Sequence, residues 1–291
     1  MSRSFSYSLA LACCFVAGVA QAQALEARQP PGNESLFAIN ERGELLHFRA
    51  GAPNRILKRK KISGLDEEVR GMDFRVSHGT LYVLGESGWL YVLDTNSAVA
   101  KRLGEAPLNL PAVETGFDFN PTVDRIRIAL ADGTNVRAHP VTGAQVDSDP
   151  KTDGVQRDGP LTYAPGDVHA GWPALINGVA YTYNQKNDKI TTNYAIDGAR
   201  GTLVTMGSRE GIEPVISPNG GMVFTVGSLK TGPITAVSFD ISDVNNSAYL
   251  GASRVGDTRT HLFRINLDTG EATYLSSVGK KERIRAMAIE P

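Results

Sequence analysis

Short apolar stretches with a period of two residues run through most of the chain, and Gly, Asn and Asp residues separate them. Alternation at period two is typical of half-buried β-strands, whereas one face of a helix repeats every 3.6 residues. Few stretches of this sequence show the helical period. The pattern therefore predicts an all-β protein.

Two short phrases recur within this pattern and alternate strictly along the chain. The first phrase occurs at Gly71–Phe74, Gly116–Phe119, Leu161–Tyr163, Ser238–Ile241 and Met287–Ile289. The second phrase follows a turn, ends in a polar residue, and occurs at Leu45–Arg49, Leu90–Asp94, Asn135–His139, Asn193–Asp197 and Leu262–Asn266. One unit of about 45 residues with about four strands has the size of a β-propeller blade.

The two ends of the chain indicate how the blades close into a ring. The chain begins on a second phrase and stops on a first phrase, so the strand Arg283–Ile289 would complete the blade that Leu36–Ile62 starts. Pairing of the N- and C-terminal strands leaves only short, protected edges. We predict a five-bladed propeller with insertions around 167–190 and 200–235. A sixth, degenerate blade within 200–235 and a β-sandwich are the alternatives.

Three strings resemble one known family. "TGFDFNPTVDRIRI", "GMDFRVSHGTLYVLGESGWLYVLD" and "HLFRINLDTGEAT" are similar to the secreted bacterial proteins grouped as domain of unknown function 4394. The resemblance extends from Leu36 to Ile289. It implies an extracytoplasmic bacterial protein of unassigned role, and it supplies no catalytic residues to transfer.

The N-terminus has the features of a secretory signal. Arg3 precedes an apolar run, Leu9–Ala20, and Ala20-Gln21-Ala22 forms a small-x-small cleavage site. The run is shorter than the roughly 20 residues that span a bilayer, and no later run is long enough, so we predict no membrane span. The signal is cleaved after Ala22 or Ala24, which predicts a periplasmic or secreted protein. The chain then divides into a signal peptide (1–22), a flexible segment (23–34) and a single propeller domain (35–291).

Composition and charge narrow the function classes. With 30 basic and 31 acidic residues, the formal net charge is −1, which argues against a nucleic-acid binder. The one basic run, Lys58–Lys61, fits a solvated outer strand whose lysines discourage edge pairing; a phosphate-binding patch is the alternative. Both cysteines, Cys13 and Cys14, lie in the signal, so the mature chain has no disulfide.

The first phrase repeats an aspartate in one slot, at Asp73, Asp118 and Asp240. A position repeated around a ring usually has a repeated structural role, and we favour carboxylates that accept N–H bonds from the neighbouring blade's turn. The alternative is that the three converge in the central channel. There they could bind a cation such as Ca²⁺ or supply the acid and base for glycoside hydrolysis.

The turn after Asp118 carries a second polar group, formed by Asn120, Asp124, Arg125 and Arg127. Asn before Pro favours an extended residue that enters a turn, and an aspartate in a turn can cap nearby backbone. We predict that Asp124 pairs with Arg125 or Arg127 and pins this hairpin. An anion site is the alternative.

Aromatic side chains around the first insertion are candidates for a ligand surface. Insertions on repeat scaffolds often carry binding surfaces, which singles out Trp172, Tyr181 and Tyr183. The sequence has no G-x-S-x-G motif, and its five histidines lack the spacing of a zinc site.

Together these features favour a non-enzymatic propeller that binds a small molecule or a protein, with no required cofactor. The alternative is a propeller hydrolase that acts on glycosides or lactones through Asp73, Asp118 and Asp240, with Ca²⁺ as an optional ion. Because one fold hosts many chemistries, the site itself must decide between the two.

Overall fold

A computed structural model of the chain describes residues 32–232, 234–254 and 256–291. The predicted signal peptide and most of the predicted flexible segment lie outside these ranges. Within them, the only helix is a short 3-10 turn at Pro218–Gly220. The strands are β1 (Ser35–Asn40), β2 (Glu44–Arg49), β3 (Lys58–Lys61), β4 (Val69–Arg75), β5 (Thr80–Gly85), β6 (Leu90–Asp94), β7 (Val99–Leu103), β8 (Thr115–Asn120), β9 (Arg125–Leu130), β10 (Asn135–Ala138), β11 (Thr162–Tyr163), β12 (Ile176–Tyr181), β13 (Asn193–Asp197), β14 (Thr202–Met206), β15 (Met222–Ser228), β16 (Ile234–Ile241), β17 (Ala248–Arg254), β18 (His261–Ile265), β19 (Ala272–Ser277) and β20 (Ile284–Ile289).

These strands form five sheets, which are the blades of a propeller. Blade 1 has the order β20-β1-β2-β3, blade 2 β4-β5-β6-β7, blade 3 β8-β9-β10, blade 4 β12-β13-β14-β15-β11 and blade 5 β16-β17-β18-β19. The innermost strands β4, β8, β12, β16 and β20 touch one another in a closed ring. The predicted five-bladed propeller is confirmed. Residues 200–235 supply β14 and β15 to blade 4, so the alternatives of a sixth blade and of a sandwich are wrong.

The predicted ring closure is confirmed by the pairing of the two ends of the described chain. Strand β20 runs antiparallel to β1, with Leu36 opposite Ile289 and Asn40 opposite Ile284. Beside this seam, Glu34 accepts hydrogen bonds from the Tyr249 hydroxyl (2.9 Å) and the Asn245 side chain (3.0 Å) of blade 5. Residues from both ends therefore build blade 1 and fix it to its neighbour.

The innermost strand of blade 4 differs from the prediction. The first phrase at Leu161–Tyr163 predicts an inner strand, but Thr162 and Tyr163 form β11, an outer strand that runs parallel to β15. The innermost strand is β12, where Gly178 and Tyr181 have the same spacing as Gly71 and Phe74. Strand β11 resembles the first phrase in sequence although it is the outer strand of blade 4. The Gly-x-x-aromatic spacing of Gly178 and Tyr181 is the feature that identifies β12 as the inner strand.

The hydrophobic core is divided into five clusters, one between each pair of adjacent blades. Between blades 1 and 2, for example, Phe37 packs edge-on against Phe74, with ring centroids 5.7 Å apart. The outermost strand of blade 1, β3, is exposed at all four residues, which confirms the prediction of a solvated outer strand for Lys58–Lys61. Each blade thus buries its faces against its neighbours and leaves its outer edge to water.

Glycine in the first phrase allows the inner strands to approach one another. A Cβ atom on Gly116 would lie 2.7 Å from the backbone nitrogen of Val179 in the next blade, and one on Gly71 would lie 2.4 Å from the Phe117 Cβ atom. Cβ atoms in proteins do not approach other heavy atoms this closely. The inner strands are closely packed, so moving them apart would cost free energy.

We therefore expect Gly116→Ala to lower the free energy of unfolding by about 2 kcal/mol or more, as overpacking does in other cores. Gly220→Ala is the matched control, because a Cβ there meets nothing within 4 Å. Urea unfolding of both variants measures the difference. Equal stability of the two variants would contradict the proposed inter-strand contact.

Candidate functional site

The repeated aspartates of the first phrase meet at the centre of the ring. Oxygen atoms of Asp73, Asp118 and Asp240 all lie within 4.8 Å of one another, and the three residues are at most 6% exposed. They occupy β4, β8 and β16, and the corresponding residues of β12 and β20 are Ala180 and Ala288. Within the described ranges this is the one group of acids, histidines or cysteines close enough to share a metal ion.

Each of these carboxylates also accepts a backbone hydrogen bond from the innermost strand of the next blade. In every case the Oδ2 atom is the acceptor, and the N–H donor is the residue that follows the aspartate slot in that strand. The pairs are Phe119 N–H to Asp73 (2.8 Å), Tyr181 N–H to Asp118 (2.9 Å) and Ile289 N–H to Asp240 (2.6 Å). The three aspartates therefore join adjacent blades through hydrogen bonds, and we call them latches. Their donors lie in the inner strands and not in the predicted turns.

In two of the three latches, the second carboxylate oxygen also accepts a backbone hydrogen bond. The Asp73 Oδ1 atom accepts from the Phe74 N–H (2.7 Å), and the Asp240 Oδ1 atom accepts from the Ile241 N–H (2.6 Å). A carboxylate that bridges two backbone donors satisfies buried groups that would otherwise cost free energy.

Burial and repulsion by neighbouring carboxylates raise the pKa of all three carboxyls. Burial is the main cause in each, and it raises the pKa of Asp240 to about 8. The pKa of Asp118 is also raised by burial and then by Asp73 and Asp240, and that of Asp73 by burial and then by Asp240 and Asp243. Like charges this close cannot all be ionised in a low dielectric. Near neutral pH the cluster must hold protons or a cation.

Sequence reasoning missed a fourth acid beside this cluster. Asp243 lies just beyond the end of β16, and burial raises its pKa to about 7. Its charge contributes to the raised pKa of each of the three latch carboxyls. The only signal in the sequence was its position three residues after Asp240, which gives no indication of depth in the ring.

A cavity in the central channel is small and does not reach the latch carboxylates. The cavity along the channel holds about 10 Å³ and is lined by earlier residues of the inner strands, including Gly71, Gly116 and Gly178. The three aspartates do not line it. Ligand sites measure about 300–1,000 Å³. A sugar or lactone does not fit this cavity, and the three carboxylates are almost fully buried.

The predicted pairing of Asp124 within its own hairpin is wrong. Its carboxylate binds Arg75 of blade 2 through two hydrogen bonds, Nε to Oδ1 (2.8 Å) and Nη2 to Oδ2 (2.5 Å). Arg75 holds the pKa of Asp124 below its ordinary value. Arg125 instead donates to the Asp124 carbonyl oxygen (2.9 Å), and Asn120 caps the turn by accepting from the Thr122 N–H (2.9 Å). The hairpin is therefore pinned to the preceding blade.

Arg127 is the largest fully buried side chain in the described residues, at 1% exposure. Its Nη1 atom donates to Asp158 (2.5 Å) and Asn135 (2.7 Å), its Nη2 atom to Asn219 (2.5 Å), and its Nε atom to the Tyr181 hydroxyl (3.2 Å). Sequence reasoning missed Asp158 and Asn219, because they lie far along the chain in the segments that join blades 3 and 4 or cross blade 4.

The three aromatic candidates do not form one surface. Trp172 is 65% exposed, and the Arg200 guanidinium lies 5.8 Å from its ring centroid. Tyr181 is buried at the other end of β12, and Tyr183 is half-buried beside Asn246, whose side chain bonds both its N–H (2.8 Å) and its carbonyl (3.0 Å). Only Trp172 offers its ring to solvent.

An open site of ligand size lies between blades 4 and 5, on the face where the inner strands end. It is a groove of about 810 Å³, and its lining includes Thr192, Tyr194 and Arg209 from blade 4 and Asn246, Arg264 and Asp268 from blade 5. The Arg209 guanidinium lies 5.6 Å from the Tyr194 ring centroid and 4.0 Å from Asp268. The groove is polar, with charged groups of both signs.

A comparison with known families agrees with this architecture. The family model described as "Domain of unknown function (DUF4394)" matches residues 44–288, which span the ring from β2 to β20. The chain belongs to this family. A search of curated proteins finds no match for this family member.

Two solved structures show a distant likeness to this DUF4394 protein. A chain of the nidogen–laminin complex matches with a TM-score of 0.45 and 9% identity, over 89% of this chain and 86% of that one. A chain of hydrazine synthase from Kuenenia stuttgartiensis matches with a TM-score of 0.40 and 10% identity, over 77% and 50%. No helix within the described ranges is long and apolar enough to cross a membrane.

Proposed function

We propose that this protein is a secreted or periplasmic, non-enzymatic binding module. It takes a polar small molecule, or a polar segment of a protein, in the groove between blades 4 and 5. The signal-like N-terminus supports the location. The observation that carries the binding role is the contrast between the two sites: the carboxylates at the centre are bonded to backbone in a closed channel, whereas the groove is open and of ligand size.

The chemistry of the groove supports a polar ligand. Arg264 is exposed on β18, and no hydrogen bond or ion pair of its side chain is found in the described ranges, so its guanidinium is free to bind. Thr192 and Asn266 add neutral polar groups along the same walls, whereas the side chain of Asn246 is bonded to the backbone of Tyr183. Glu210 is committed elsewhere, since it accepts from Thr182 (2.6 Å) and Asn184 (2.8 Å).

A panel of amino acids, mono- and disaccharides and dicarboxylates, screened by thermal shift and followed by calorimetry, tests this proposal. We expect at least one probe whose Kd rises about tenfold or more in Arg264→Ala, the cost of one charge-assisted hydrogen bond. Arg55→Ala is the control, because Arg55 is exposed on blade 1. The proposal fails if no probe binds, or if every probe binds Arg264→Ala as well as the wild type.

A second candidate function is the propeller hydrolase with an optional Ca²⁺ ion. One observation favours it: three carboxylates lie within 4.8 Å of one another, and hard cations prefer oxygen ligands. The closed channel and the backbone latches oppose it. Hydrolysis of aryl glycosides or lactones by the wild type, lost in Asp118→Asn, would favour this function over the binding module.

A further inference from the structure

A second pocket lies between blades 3 and 4, on the opposite flank of blade 4 from the groove. It has a volume of about 350 Å³. Its walls come from the ends of β8 and β12, from β9 and β10, and from the segment around the 3-10 turn. The residues that matter to its chemistry are Arg125, Arg127, Arg137, Tyr181, Ser217 and Asn219.

The charges at this pocket are not balanced. Three guanidiniums line it, whereas one carboxylate, that of Asp158, binds two of them: Arg127 at 2.5 Å and Arg137 at 2.8 Å. Asp124, the acid next to Arg125 in sequence, is bound to Arg75 of blade 2. The pocket therefore carries an excess of positive charge.

Several N–H and O–H groups at the pocket have no hydrogen-bond acceptor among the described residues. An arginine has five N–H groups. In the described ranges, Arg137 uses Nε and Nη2 on Asp158, and Arg125 uses Nη1 on the carbonyl oxygens of Val123 and Asp124. This leaves the Nη1 group of Arg137 and the Nε and Nη2 groups of Arg125. The Tyr181 hydroxyl accepts from Arg127, so its own hydrogen is also available.

The buried part of the site fixes the geometry of the rest. Arg127 is held on four sides by Asp158, Asn135, Asn219 and Tyr181, and Asp158 orients Arg137 through two parallel bonds. Donors that are held in place before a ligand arrives lose little entropy on binding. Planar guanidiniums bind carboxylates and phosphates through paired N–H groups.

We propose that this pocket binds a small oxyanion, a phosphate or carboxylate group carried by a small molecule. Arg125 and Arg137 supply the contacts, the Tyr181 hydroxyl adds a donor, and buried Arg127 supplies positive charge and holds the walls. The site is separate from the groove between blades 4 and 5, so the test of one does not decide the other.

Calorimetric titration of the mature protein with inorganic phosphate and, separately, with citrate tests the proposal, both in chloride buffer of matched ionic strength. We expect saturable binding of at least one probe, and the responding probe identifies the group: phosphate, carboxylate or either. Arg125→Gln should raise the Kd about tenfold or more, since it removes charge-assisted hydrogen bonds while its present partners are only nearby carbonyls.

Arg55→Gln is the matched control, because Arg55 is exposed on blade 1, outside both sites, and its loss should leave the Kd unchanged. Arg264→Gln reports whether a probe binds in the groove between blades 4 and 5 instead. Phosphate also stabilises proteins without a site, by exclusion from their surface. That effect does not saturate and persists in Arg125→Gln, so it is distinguishable. The proposal is overturned if neither probe binds saturably, if Arg125→Gln binds like the wild type, or if Arg264→Gln alone abolishes binding.

Discussion

Ending the chain at Glu282, and so removing β20, is expected to abolish the cooperative unfolding transition. Strand β20 supplies the pairing partner of β1 and the inner strand between β16 and β4. It also supplies the N–H group of Ile289 that binds Asp240. Its buried apolar residues are Ile284, Ala286, Met287, Ala288 and Ile289.

The expected loss is comparable to the total stability of an ordinary domain. Burial of one large apolar side chain contributes about 1.5–3 kcal/mol, and domains are stable by about 5–15 kcal/mol in total. Thermal melting followed by far-UV circular dichroism measures the effect, and removal of Pro291 alone is the control. A truncated chain that still melts cooperatively within a few degrees of the control would show that the ring does not depend on its closing strand.

The second large effect is a loss of stability as the pH rises. The folded pKa of Asp240 is about 8, whereas an unfolded aspartate has a pKa near 3.9. Between these values the folded state keeps a proton that the unfolded state has lost. The free energy of unfolding then falls with rising pH, by up to about 1.4 kcal/mol per pH unit for one proton.

Urea unfolding at pH 5, 6, 7 and 8, with EDTA present, measures this slope. Asp118→Asn should reduce it, because a neutral amide removes one charge from the cluster and its oxygen can still accept from the Tyr181 N–H. Asp240→Asn should cost about 1–3 kcal/mol at pH 5, since both oxygens of Asp240 accept backbone N–H groups and an amide nitrogen cannot accept. Exposed Asp153→Asn is the control.

Comparison with the variants is needed because other groups titrate in the same range. Burial lowers the pKa of His47, so its contribution to stability rises with pH and opposes the slope from the aspartates. His47 is present in both proteins, so its contribution cancels when the slope of Asp118→Asn is subtracted from that of the wild type. An unchanged slope in Asp118→Asn would mean that the cluster does not hold the protons.

The ring could be predicted from the sequence because its evidence is local and repeated. The spacing of Gly71–Phe74 and Gly116–Phe119, and the offset between the two chain ends, depend on strand periodicity and blade size alone. The shared slot of Asp73, Asp118 and Asp240 pointed to carboxylates that accept backbone N–H bonds from the next blade, with convergence in the channel as the alternative. The donors lie in inner strands and not in the predicted turns.

The remaining parts depend on contacts that a linear pattern does not contain. Asp124 has arginines beside it in sequence, yet it binds Arg75, because the register between adjacent blades brings that side chain closer. Arg127 binds Asp158 and Asn219, which lie far along the chain in the segments before β11 and β15. Blade 4 departs from the repeat, and the two proposed binding sites lie along its flanks.

The central claim is that the buried aspartates are protonated latches between blades. Carboxyl carbon chemical shifts of the mature protein labelled with ¹³C-aspartate, followed from pH 4 to pH 9 with and without Ca²⁺, test it most directly, with Asp118→Asn and Asp240→Asn for assignment. The account predicts that Asp240 stays protonated at pH 6 and titrates near pH 8, with no response to Ca²⁺. Ionised carboxyls throughout this range, with shifts that move when Ca²⁺ is removed, would contradict it and place a cation at the centre of the ring.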